Sequence, residues 1–170
     1  MSTESPPPAG QDHDAARRAR TFLVVVDDSP ERAVALRYAA LRAFRGGGRV
    51  ALLRVTEPVG QAEWANIAEM MREERRAEAE QLLQGLSAEV NRITGQMPVV
   101  YVREGDPREQ LLALLAEEPG ISVLVLASSG AAEGPGPLIS ALTGRYNRQL
   151  RTPLVIVPGN LTEDELETVT

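Results

Sequence analysis

Cysteine and lysine are both absent from this chain, and histidine occurs once. Without cysteine, disulfides, Cys-ligated zinc and thiol catalysis are excluded. Without lysine, so are a Schiff-base lysine, a P-loop lysine and a lysine general base. All 18 basic residues are arginines. The one histidine, His13, lies in a polar N-terminal stretch and reads as a solvated residue rather than a functional one. No apolar run approaches the roughly 20 residues that span a bilayer, and the N-terminus has no apolar core of a secretory signal. The expectation is a soluble, cytoplasmic protein that does not engage a membrane. A net charge of −6 argues against a general nucleic-acid binder, because neutralising phosphates takes a basic face.

What is present suits one α/β domain. The 170 residues are 43% apolar, mostly Val, Leu, Ile and Ala, with six aromatic residues. That length supports a single well-buried core. Residues 1–20 are rich in Pro, Ser, Gly and charge and read as a disordered arm. The alternative there is a short basic anchor from Arg17, Arg18 and Arg20.

From residue 21 the pattern alternates. "TFLVVVDD" is a continuous apolar run ending in acids, as in a strand covered on both faces. Ser29 can cap the next helix with Pro30 at its first position, and Val34, Tyr38, Leu41 and Phe44 follow at helical spacing. "RVALLRV" is a second buried strand. The longest helical segment, about 62–94, carries Trp64, Ile67, Met71, Leu82, Leu86, Val90 and Ile93 mostly at steps of three and four. Its charged middle reads as a solvated face, and Met70 and Met71 as core filler. "MPVVYV" is a third strand. Gly105 suits a positive-φ turn, and Asp106, Pro107 and Glu109 compose a helix start. That helix stops at Pro119-Gly120. "ISVLVLA" is a fourth strand, "LISALTGRYNRQL" a helix and "PLVIVP" a fifth strand. Residues 159–170 form an acidic tail in which Thr162 and Glu165 can cap one helical turn.

This order predicts a doubly wound, five-stranded parallel sheet of Rossmann-like class, occupying 21–158. Such sheets bind ligands at the carboxyl ends of their strands. Here those ends carry Asp27-Asp28, Val55-Thr56, Gly105-Asp106 and the glycine-rich loop after Ala127. The acid pair after the first strand also fits a response-regulator receiver domain. That family needs a phospho-acceptor Asp after the third strand and a Lys after the fifth. The chain has no Lys, so the receiver reading fails.

The segments "FLVVVDDSPERAVALRYAA", "VALLRV", "VREGDPREQLLALL" and "VLVLASSG…TPLVIVP" resemble the universal stress protein family, over about 21–158. The resemblance implies an adenine nucleotide alpha hydrolase-like fold and a site for ATP or AMP. In nucleotide-binding members the fourth strand runs into Gly-x2-Gly-x9-Gly-[Ser/Thr]. The spacing holds here, but the positions are Ala127, Gly130, Ser140 and Ala141, so only Gly130 matches. Ala141 lacks the hydroxyl that holds phosphate in the family. Glu133 brings negative charge into the loop, and Pro135 and Pro137 cannot donate hydrogen bonds. Arg145 and Arg148 offset that charge only if they face the loop; otherwise they form a solvated helix face. The adenine end is better kept: Asp27 matches the acid that accepts from the base, and Val55 the residue whose backbone contacts it. The implied nucleotide site is Val26, Asp27, Val55, Ala127, Ser129, Gly130, Ser140 and Ala141. Asp27 can instead satisfy loop amides, and Val55 can instead be core.

No residue set supports catalysis, and no metal site is expected. The first reading is therefore a non-enzymatic, stress-linked regulatory protein with weak or absent ATP binding. The second is an ATP binder with slow hydrolysis or phosphoryl transfer. The third is an interaction module that offers the acidic tail or the long charged helix to an unidentified protein partner. The resemblance also implies a homodimer through the strand Pro153 to Pro158, paired antiparallel across a two-fold axis. The competing arrangement folds 160–169 back to shield that edge within one chain.

Overall fold

The computed structural model describes residues 20–60, 65–130 and 134–170. Residues 1–19 of the arm, Trp64 and Glu133 lie outside them. Among the described residues five strands and five helices alternate: β1 (Thr21–Val25), α1 (Arg32–Gly46), β2 (Arg49–Thr56), α2 (Ala65–Thr94), β3 (Val99–Glu104), α3 (Pro107–Glu117), β4 (Ile121–Ser128), α4 (Pro137–Thr143), β5 (Leu154–Pro158) and α5 (Glu163–Val169). All strand pairs are parallel, in the order β3-β2-β1-β4-β5.

The period of two along each strand divides the core. Phe22, Val24, Val50 and Leu52 face one layer, with α1 and α2. Leu23, Ala51, Leu53, Leu124 and Leu126 face the other, with α3 and α4. Because both faces are covered, the middles of these strands are continuously apolar rather than alternating, with the polar residues towards the ends. That is why they could be read from sequence.

The helices depart from the apolar stripe read from sequence. On α1 the buried face is Ala35, Leu36, Ala39, Ala40, Leu41 and Ala43, while Phe44 is 62% exposed. Alanines bring the helix close to the sheet, and Val34 and Tyr38 pack at its margin. Ser29 does not cap this helix. Its hydroxyl donates to Asp27, and α1 begins at Arg32 behind an uncapped Glu31.

The long helix α2 spans 30 residues, about 45 Å at 1.5 Å per residue. The eight-residue β2 covers only about 26 Å. The excess must overhang. Ala79, Leu83, Ser87 and Val90 are buried over the sheet, whereas Met70 is 69% and Met71 38% exposed on the free end. The two methionines are therefore surface, not core filler. The segment after Pro137 is also shorter as a helix than its pattern indicates: α4 ends at Thr143, and turns carry the chain to Gln149.

Asp106 caps α3 as its sequence indicates, accepting from the backbone N–H groups of Arg108 at 2.9 Å and Glu109 at 3.2 Å. Gly105 ahead of it has φ 140°. Thr162 and Glu165 form a reciprocal capping box at the start of α5. Hydrogen bonds from the Thr162 backbone and side chain hold the Glu165 carboxyl below its usual range.

Two glycines at the end of α1 separate steric need from tolerance. A Cβ at Gly48 would lie 2.5 Å from the Arg20 carbonyl oxygen, whereas one at Gly46 meets nothing within 4 Å. Gly48→Ala is expected to destabilise the fold by about 1–3 kcal/mol, the range for overpacking. Gly46→Ala should be neutral or stabilising by up to about 1 kcal/mol through the unfolded chain. Urea unfolding of the two variants checks both; equal midpoints refute the distinction.

Candidate functional site

The sheet places β1 at its centre. The chain leaves β1 on one side through α1 to β2, and crosses to the other side through α3 to β4. The strand order therefore reverses between β1 and β4, and the crevice beyond their carboxyl ends is where such folds bind ligands.

Two clefts flank Asp27 at this end of the sheet. The larger, about 610 Å³, lies towards β2 and the overhang of α2; Val26, Asp27, Asp28, Arg54, Val55, Arg75 and Glu78 are among its walls. The smaller, about 270 Å³, lies at the reversal point between β1 and β4. Asp27, Ser29, Glu31, Arg32, Ala127, Ser129, Pro135 and Gly136 contribute to it. Size and topology thus favour different clefts, and Asp27 borders both. The topological argument weighs more, because it concerns where backbone groups are left unpaired rather than how much space is open.

Asp27 holds the turn that separates the clefts. Its Oδ1 accepts from the Ser29 backbone N–H at 3.0 Å and from the Ser29 hydroxyl at 2.6 Å. Arginines take the neighbouring carbonyls: Arg32 donates to the Asp27 oxygen at 3.0 Å and Arg54 to the Val26 oxygen at 3.1 Å. Arg54 also pairs with Asp28 at 3.0 Å, and its own side chain is only 17% exposed. Its Nε is buried without a hydrogen-bond partner among the described residues. Arg75 reaches from α2 to the Glu57 carbonyl at 2.8 Å. Away from the two clefts, hydrogen bonds from Arg103 on β3 hold the carboxyl of Glu117, the last residue of α3, below its usual range.

Of the residues read from sequence as a nucleotide site, Val26, Asp27 and Val55 meet at the larger cleft, and Asp27, Ala127 and Ser129 at the smaller. Gly130, Ser140 and Ala141 line neither cleft as described. The Ser140 hydroxyl instead donates to the Gly136 carbonyl at 2.8 Å, inside α4. Gly134 and Gly136 have φ of 102° and 103°, a region side chains avoid. Gly136 is also extended in ψ, at 157°, as the residue before a proline must be. The backbone path therefore accounts for these two glycines without a phosphate. Arg145 lies over the Tyr146 ring at 5.6 Å, and neither it nor Arg148 lines a cleft as described.

Arg32, Arg54 and Arg75 were not singled out from sequence. The available signal was Arg54, a charge near the carboxyl end of an otherwise apolar strand. Among the described residues no group of three or more His, Asp or Glu is arranged to hold a metal. No described helix is long and apolar enough to cross a membrane.

The fold recurs in solved structures. The universal stress protein UspA from Lactobacillus plantarum superposes with a TM-score of 0.68 at 17% identity, over 82% of this chain and 98% of that one. A universal stress protein solved in complex with cAMP gives 0.59 at 16% identity, over 84% and 98%. One from Archaeoglobus fulgidus, in complex with dAMP, gives 0.51 at 16%, over 82% and 97%. No curated protein sequence matches. The model of the universal stress protein family matches residues 18–158, which span the sheet and both clefts, and the chain belongs to that family.

Proposed function

We propose that this protein is a non-enzymatic, cytoplasmic regulator of the universal stress type, acting as a homodimer and holding adenine nucleotides weakly or not at all. The observation that carries the reading is the chemistry of the smaller cleft, where phosphates would lie at the strand reversal. Pro135 and Pro137 on its wall donate nothing. The Ser140 hydroxyl is engaged within α4. Asp27 and Glu31 place two carboxylates there against one guanidinium, Arg32, which is bonded to the Asp27 carbonyl. Like charges at about 4 Å and an effective dielectric near 20 repel by about 4 kcal/mol, and solvent reduces this for exposed side chains.

A second reading, an ATP or AMP binder with slow hydrolysis or phosphoryl transfer, draws on a different observation. Val26, Asp27 and Val55 share the larger cleft, and relatives of this fold have been solved with cAMP and dAMP. Calorimetry with Mg-ATP separates the two. The expected dissociation constant is weaker than about 1 mM, or about −4 kcal/mol. A value of about 1 μM or tighter transfers the protein to the second reading. Asp27→Ala should destabilise the fold by about 1 kcal/mol, as loss of a capping side chain does, whichever reading holds.

The homodimer draws support from the β5 edge. Among the described residues β5 pairs only with β4, and Ile156 on it is 41% exposed. Prolines at 153 and 158 bracket the run without blocking its centre. The competing shield is weakened by the course of α5, which docks by its acids onto the arginines of α1. Light scattering should give about twice the 18.4 kDa chain mass, and Ile156→Lys should give a monomer. A monomeric wild type rejects the dimer; a dimeric lysine variant moves the interface off β5.

A further inference from the structure

The family match ends at Pro158, yet the residues beyond it are built into the molecule. Leu166 is 2% exposed and joins Leu161 against Val157 in the core layer of α1. The rest of the attachment is charge. Arg37 pairs with Glu163 at 3.3 Å and with Glu167 at 3.9 Å, and Arg45 with the Glu167 carboxylate. Arg42 donates to the Thr170 carbonyl at 2.8 Å and Arg45 to the Glu167 carbonyl at 2.7 Å. One buried leucine is a small apolar anchor for a helix of seven residues. Exposed ion pairs are individually weak and screened by salt. A segment held in this way opens more readily than the sheet.

The root of α5 lies against the smaller cleft. The Gly159 N–H donates to the Ser128 carbonyl at 3.0 Å, at the end of β4. A Cβ at 159 would stand 2.4 Å from Glu31 Cγ and 2.5 Å from the Ser128 oxygen. Gly159 is thus wedged between the turn that opens α1 and the strand that leads into Ser129. Glu31 and Ser129 both belong to the wall of that cleft.

We propose that α5 is a salt-responsive strap: docked through Arg37, Arg42 and Arg45, it presses Gly159 between Glu31 and Ser128 and fixes the wall of the smaller cleft. As ionic strength rises the strap releases and that wall loosens. Such coupling is reciprocal, so whatever rigidifies the Glu31 turn also favours docking. The two states differ in identifiable contacts, namely the arginine pairs, the Leu166 seat and the Gly159 wedge. The proposal is independent of whether the cleft holds a nucleotide.

Hydrogen exchange on the full chain tests it, in sodium chloride between about 0.01 M and 1 M, where the Debye length falls from about 30 Å to about 3 Å. Three sets of amides are followed. The first is α5. The second is Val34 and Ala35, which donate to the Glu31 carbonyl at 3.0 and 3.3 Å. The third is Leu111 to Leu114 of α3, in the opposite layer. Exchange of α5 and of Val34 and Ala35 should rise together, by about tenfold or more, while α3 is unchanged. Arg37→Glu with Arg45→Glu should reproduce this at low salt, and adding Glu163→Arg with Glu167→Arg should reverse it. Protection of α5 that persists in high salt overturns the proposal. So does release of α5 that leaves Val34 and Ala35 protected. The salt series on the unaltered chain decides even where the double variant fails to fold.

Discussion

Past Val25 the Val26 N–H still donates to the Leu53 carbonyl at 2.7 Å, and beyond it the last carbonyls of the central strand emerge from the middle of a sheet. The buried Val26 residue must find a donor for its carbonyl, and the exposed Asp27 carbonyl takes one as well. Arg54 supplies one to Val26 and Arg32 one to Asp27, and the turn between them is held by Asp27 and Ser29. Both clefts exist because the chain is turned at this point. The arginine-only composition suits the task. The guanidinium fork of Arg54 bonds the Val26 carbonyl through one nitrogen and the Asp28 carboxylate through the other, a planar two-way contact that an ammonium point charge does not reproduce. The absence of lysine removes chemistry from the chain, and the arginines in its place serve architecture.

The strands were legible and several helix faces were not, for one physical reason. A strand buried on both sides needs apolar residues throughout, and such runs are conspicuous. A helix that sits close to a sheet needs small residues at the contact. Ala35, Ala39, Ala40 and Ala43 carry little hydropathy, so attention fell on Phe44, which is exposed. Met70 and Met71 misled in another way. Met71 falls at the spacing of the apolar stripe and both are residues that fill cores, but burial on α2 is set by how far the sheet extends beneath it. Local capping, by contrast, is contained within a few residues, and Asp106 and the Thr162–Glu165 pair formed as written. Ser29 shows the limit of that rule. As an N-cap its oxygen would accept from backbone N–H groups of the helix; instead the hydroxyl turns to donate to the nearby Asp27 carboxylate.

Spacing and chemistry separate in the glycine-rich loop. The distance from the fourth strand to its helix is a requirement of the fold, since the crossover must reach the same place whatever it binds. Residue identity answers to the ligand or to the local backbone. Gly134 and Gly136 answer to the backbone, through positive φ on either side of Pro135. Those two glycines thus have a sufficient cause in chain geometry, one that does not extend to Gly130. The departures at Ala127, Ser140 and Ala141 are then free of conflict with the fold, because α4 still forms and Ile139 and Leu142 still reach the core.

The sheet has a second edge strand, β3, and the two edges can be compared. On β3, Val99, Val100 and Val102 are between 37% and 42% exposed, much as Ile156 is on β5. If both edges paired with copies of themselves, sheets would join end to end without closure. Soluble proteins guard edges with charge. β3 carries Arg103 and Glu104 within its six residues, and Arg103 is braced by Glu117. β5 carries no charge in its five, and its only interruptions are the bracketing prolines. The two edges are alike in apolar exposure and unlike in protection. Of the two, β5 is the edge that lacks this protection, and the proposed dimer would close through it.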